Sequence, residues 1–115
     1  MSKRGLVIVF DLRLGTTDYE TSFEKVIEFL FRHTFKNKSI KISSRALFCY
    51  SEFSDIAPNV YNLIDDAFET LIENDTNLDY LSRNYIVYYF QPGSDFMEHL
   101  NSAFPLEMEY LLNTK

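Results

Sequence analysis

The sequence predicts a small α+β domain. Three runs dense in β-branched, apolar and aromatic residues are separated by two stripes of apolar residues at helical spacing, and no repeat, low-complexity tract or Pro/Ser linker interrupts them. At 115 residues with 46% apolar side chains, the chain is long enough for one core and leaves little room for two. One domain is expected over 1–115, with a core of about 5–91 and a C-terminal extension of about 92–115.

The elements follow in order. Gly5 to Leu14 begins as a continuous apolar run, the pattern of a central strand buried on both faces, then alternates Asp11 and Arg13 with Leu12 and Leu14 until Gly15. Thr17 and Glu20 have the spacing of a capping box. Phe23, Val26, Ile27, Leu30 and Phe31 then mark one face of a helix to about His33, with Phe29 off the stripe. Asn37 to Ser51 reads as two short strands or one bent one, with Ser43-Ser44 as the bend. Pro58 suits the first turn of a second helix capped by Ser54 or Asp55. Val60, Leu63, Ile64, Ala67, Phe68, Leu71 and Ile72 form its apolar stripe. Asn74 to Ser82 reads as a polar loop, and Arg83 to Phe90 as a strand stopped by Gln91-Pro92-Gly93. Ser94 can cap a short helix carrying Phe96, Met97, Leu100 and Phe104, ended by Pro105. Leu106 to Tyr110 alternates apolar and acidic residues, which favours a last edge strand over a helical tail.

This order is that of a ferredoxin-like β-α-β-β-α-β sheet with two helices on one face, plus a C-terminal short helix or strand. The other face would then lack helices. A central strand apolar on both sides cannot leave it in water, and a second copy of the chain is the expected cover, so a homodimer is predicted. The aromatic content of 17%, eight Tyr and eleven Phe, fits such a shared face, or a Phe-rich core with Tyr at its edge.

Composition also excludes. A lone Cys49 rules out an intrachain disulfide framework and a cysteine-clustered zinc site, and in an apolar strand it reads as core. Gly5 to Phe10 is too short to span a membrane and is followed by Asp11. No small-residue cleavage site follows it, so the reducing cytoplasm is expected. His33 and His99 have no partner at metal-binding spacing, and there is no Gly-rich phosphate loop or nucleophile elbow. The formal charge of −6 argues against a simple basic nucleic-acid coat. That average conceals a division: residues 1–45 carry nine bases and five acids, net +4, whereas 46–115 carry two bases and twelve acids, net −10. Such asymmetry marks a binding face or two faces that attract in an oligomer.

The strand ending Val9-Phe10-Asp11-Leu12, the stretch Gly15-Thr16-Thr17-Asp18-Tyr19, and Lys41 to Phe48 before the second helix resemble small dimeric ferredoxin-like proteins of the SinR-like, virulence-associated protein D and CRISPR Cas-two type. The resemblance covers roughly residues 5–95. It implies a homodimeric, nucleic-acid-associated protein. Some members of the group are metal-dependent nucleases and others are structural nucleic-acid binders. Asp11 matches the group's strand-ending aspartate, and Ser43-Ser44 falls where the group often has Ser or Thr. The 74–82 segment, the overall acidity and the Tyr88-Tyr89-Phe90 ending depart from the group.

Three sets of side chains are candidates. Asp11 is a carboxylate in an apolar strand. Two copies meeting at a dimer axis could hold Mg²⁺ for catalysis or share a proton, or Asp11 could simply pair with Arg13 or Arg45 or lie exposed at the strand's end. Arg13, Lys36, Lys38, Lys41 and Arg45 could grip the phosphates of RNA or DNA, yet a helix end and an edge strand favour such cations without any ligand. Asp65, Asp66, Glu69 and Glu73 lie on the second helix with no lysine to relieve them, which suits a basic protein partner, mimicry of nucleic-acid charge or a plain solvated face. Two functions therefore compete: a Cas-two-like nucleic-acid-associated dimer with a Mg²⁺-dependent nuclease centre at Asp11, or a non-enzymatic acidic inhibitor or adaptor, of phage or mobile-element type, docking on a basic nucleic-acid-binding partner.

Overall fold

The computed structural model describes residues 3–10, 20–52, 59–91 and 93–113. The chain runs β1 (Lys3–Phe10), α1 (Glu20–Phe29) continuing into a π-helical turn (Leu30–Thr34), β2 (Ser39–Ser43), β3 (Ala46–Glu52), α2 (Val60–Ile72), α3 (Asn77–Leu81), β4 (Tyr85–Phe90), α4 (Asp95–Ala103) and α5 (Pro105–Asn113). The α+β expectation holds. Four antiparallel strands form one sheet in the order β2-β3-β1-β4.

Register sets the two faces of this sheet. Ile8 lies opposite Leu47 and Val87, while its neighbour Val7 lies opposite Phe48 and Tyr88. Successive residues of a strand point to opposite sides, so β1 feeds two cores. On the first side Ile8, Phe10, Leu47 and Cys49 pack with Phe23, Val26 and Ile27 of α1, with Ile64, Ala67 and Phe68 of α2, and with Leu78 and Leu81 of α3. On the second side Val7, Ile40, Phe48 and Tyr50 pack with Met97 and Leu100 of α4 and Met108 and Leu111 of α5. The reading of β1 as buried on both faces is thereby explained. The cover that the sequence argument assigned to a second copy is supplied by the chain's own C-terminal helices.

Gly5 is part of this second packing. A Cβ there would come within 2.8 Å of Phe48 Cε1 and 3.0 Å of Met97 Sδ. The missing side chain is what allows Phe48 and Met97 to close over β1.

Local chemistry explains most boundaries. The Phe35 amide donates to the Leu30 carbonyl at 2.7 Å, a five-residue spacing that widens the end of the helix into a π turn. Asn37 follows with φ 63°, a left-handed conformation that asparagine tolerates. The bend expected at Ser43-Ser44 separates β2 from β3, and the Ser43 hydroxyl accepts from the Arg45 amide at 3.1 Å. Ser94 caps α4, its hydroxyl accepting from the Met97 amide at 3.3 Å. The proposed caps at Thr17, Ser54 and Asp55, and Pro58, lie outside the described residues.

Two expectations are corrected. The 74–82 segment is not simply a polar loop, because it contains α3, whose Leu78 and Leu81 are fully buried. A pair three apart gives only one helical contact, too short a pattern to stand out in sequence. The segment is tied down by Asp75, which accepts from the Ser22 hydroxyl at 2.6 Å and lies 3.7 Å from Lys25. Second, Leu106–Tyr110 is helical, not a strand. Pro105 opens α5, where its missing amide is harmless, and only Met108 and Leu111 turn inward. The alternation misled because Leu106 and Tyr110 are both exposed, at 74% and 55%, and so report no buried face.

Candidate functional site

The two outer strands of the sheet, β2 and β4, carry different chemistry. At the β4 edge, Tyr85 points to the first core and stacks on Phe68 at 6.0 Å between ring centroids and 19° between planes. Tyr61 of α2 lies 6.1 Å from the Tyr85 ring, which brings helix and strand together through aromatic contact. Burial first, then the Asp65 charge, the neighbouring Tyr61 and a hydrogen bond to Asp65, push the Tyr85 phenol up to about 12. Tyr89, exposed four residues further along β4, is raised by burial and by Tyr61.

From this cluster the surface of α2 continues as an acidic stripe. Tyr61, Asp65, Glu69 and Glu73 recur every four residues and so share one face, with Asp66 beside them. All four acids are exposed. Among the described residues no cation lies within ion-pair distance of any of them, whereas acids elsewhere are engaged by Lys25, Arg32, Lys41 and Arg83. Tyr61 is itself 53% exposed. The sequence identified the acids. The tyrosine that leads the stripe was missed, although its position four residues before Asp65 is readable.

At the β2 edge an open groove of about 710 Å³ runs between the π turn and α5. Phe31, Ile40, Phe104, Leu106 and Leu111 give it an apolar floor, and Arg32, Lys36 and Lys41 bring positive charge to it, with Glu107 the acid among its lining residues. Lys41 does not project freely. Its Nζ lies 2.6 Å from Glu28 Oε2 and 5.3 Å from the centre of the Phe31 ring. Arg32 pairs with the same carboxylate. Hydrogen bonds from Lys41 and then Arg32 hold the Glu28 carboxyl below its ordinary range.

The predicted cationic set is therefore divided. Lys36 and Lys41 line the groove, joined by Arg32, which the sequence reading passed over. Lys38 is exposed between the π turn and β2, and Arg45 is exposed in the β2–β3 turn; neither lines the groove. Asp11 and Arg13 lie outside the described residues. Among the described residues no group of three or more His, Cys, Asp or Glu side chains is arranged to hold a metal ion. Cys49 is fully buried, and burial pushes its thiol well up, away from the reactive thiolate form. No helix among the described residues is long and apolar enough to cross a membrane. No protein-family model, curated protein or solved structure matches the chain.

Proposed function

We propose that the chain is a non-enzymatic interaction domain whose acidic helix α2 docks on a basic, nucleic-acid-binding protein. The observation that supports this is the stripe of Tyr61, Asp65, Glu69 and Glu73, exposed and without a cation at ion-pair distance among the described residues. Repeated acids at this spacing repel one another along the helix, and a basic partner relieves that repulsion on docking. An exposed tyrosine beside them offers an apolar anchor with a polar tip, of the kind enriched at interfaces. The antiparallel order β2-β3-β1-β4 supports reading the scaffold as ferredoxin-like, with α4 and α5 as an added cover.

The test uses a fluorescent lysine- and arginine-rich peptide as the probe. Anisotropy titration is expected to give binding that weakens steeply with salt and is lost in the triple variant Asp65→Lys, Glu69→Lys, Glu73→Lys. Equal binding by that variant and the unmodified chain would overturn the reading.

A second reading has one observation in its favour: Lys36, Lys38, Lys41 and Arg45 are all exposed, in and beside β2. A homodimer that holds RNA or DNA through these cations and Arg13 and cleaves it with Mg²⁺ at Asp11 remains the alternative proposal. Under it, Asp11→Ala abolishes Mg²⁺-dependent cleavage of a labelled oligonucleotide while circular dichroism is unchanged. No cleavage with any divalent metal removes the enzymatic part.

A further inference from the structure

β2 is an outer strand, and among the described residues no strand pairs with its outer side. Such an edge carries backbone amides and carbonyls able to pair with another chain, and proteins commonly blunt it with a projecting lysine. Lys41 stands where that device would be, but its ammonium is drawn back onto Glu28 and across the Phe31 ring.

The groove wraps this edge. Ile40 and Lys41 are consecutive and point to opposite faces. Ile40 belongs to the core beneath α5, with Leu111, whereas Lys41 meets α1 and the π turn. Both line the same groove, so the space extends around the strand's outer side onto both faces. One lip carries Arg32 and Lys41, with Lys36 nearby; the other is formed by Ile40, Leu106 and Leu111, with Glu107 and Tyr110 of α5 beside them.

From this geometry we infer that the β2 edge accepts an extended segment of a partner protein whose side chains alternate acidic and apolar. The segment would add a strand beside Ser39–Lys41. Its backbone would take up the unpaired edge, its acids would meet Arg32, Lys36 and Lys41, and its apolar residues would lie over Ile40, Leu106 and Leu111. The alternation follows from the period of a strand set against two lips of different chemistry. The irregular register between Lys41 and Ser43 limits the pairing to a short segment. This inference is independent of the acidic helix, which lies on another part of the chain.

The test uses fluorescein-labelled Glu-Val-Glu-Val-Glu-Val as the probe, with a Lys-Val repeat of equal length and an acidic peptide N-methylated at alternate residues as controls. The acidic peptide is expected to bind at least roughly tenfold more tightly than the basic one, and to weaken as salt rises from about 50 to about 500 mM. N-methylation should abolish binding, since it removes the donors a strand needs while leaving the protein untouched. Leu106→Asp and Lys36→Glu change exposed residues and should each weaken binding by roughly tenfold without altering circular dichroism. The acid-reversal variant of α2 should bind the acidic peptide no more weakly than the unmodified chain, which separates this outcome from the helix reading. Failure of the acidic peptide to bind, or equal binding by the basic or N-methylated peptide, would overturn the inference.

Discussion

The β2 and β4 edges of one sheet show how the same position in a fold is put to different uses. β4 is rich in aromatic residues, and Tyr85 on its first-core side is clamped between Phe68 and Tyr61, so that edge is joined to α2 by ring contacts. β2 is short, with Lys41 folded back onto Glu28, and beside it the chain leaves a groove instead of a packed contact. Both are outer strands; ring contacts fix one face of β4 to α2, whereas the long charged side chain of Lys41 is drawn off the β2 edge by a carboxylate. The acids of α2 lie on the helix that meets β4, and Arg32, Lys36 and Lys41 lie beside β2. The division of charge along the sequence thus appears on the surface as two regions of opposite sign.

The largest test of this contrast is Phe68→Ala. Phe68 is buried, stacks on Tyr85 and meets Phe10 edge-on at 6.0 Å, so its removal leaves a cavity beneath α2 and β4. A loss of about 3–5 kcal/mol is expected in urea unfolding. A loss below about 1 kcal/mol would show that ring packing does not hold the β4 edge to α2.

A smaller effect is expected on the other face. Gly5→Ala places a methyl against the Phe48 ring and Met97 sulfur, and should cost about 1–3 kcal/mol by forcing α4 off the sheet. Unchanged stability would show that α4 yields readily and that the second core is the softer of the two.

The smallest effect concerns Tyr85 alone. Its folded pKa of about 12 stands above the ordinary tyrosine value of 10.0, so the folded state holds the phenolic proton more tightly than the unfolded chain. The associated stability is fully present below pH 10 and is lost as pH rises toward 12. Absorbance titration at the phenolate band should show a component ionising near pH 12 that is absent in Tyr85→Phe, whose stability should depend less on pH across that window. Ionisation of every tyrosine near pH 10 would show that the Tyr61–Asp65–Tyr85 cluster is open to solvent.

Much of the fold was legible because periodicity and burial coincide in it. Val60 to Ile72 reads as a helix and is one, since its apolar residues meet the sheet at every turn. The apolar run at the start of β1 signals burial on both faces for the same reason. Legibility ended where a pattern had few members. Leu78 and Leu81 make one contact pair, and Leu106 with Tyr110 are apolar yet exposed, so neither α3 nor α5 declared itself. The acid stripe was readable because charges on a helix face depend only on spacing. The groove was not: Arg32, Lys36 and Leu111 come together only when α5 packs beside β2.

The sequence by itself determined the four strands and the helices α1, α2 and α4, the apolar faces of α1 and α2, and the division of charge between the two parts of the chain. All of these rest on neighbours within one or two turns. Tertiary structure alone decided what covers the second face of the sheet and where the groove beside β2 forms. Those outcomes depend on contacts between residues far apart in the chain: Met97 and Leu111 reach Val7 and Ile40 because helices α4 and α5 return across the sheet, and no local pattern encodes the direction of that return.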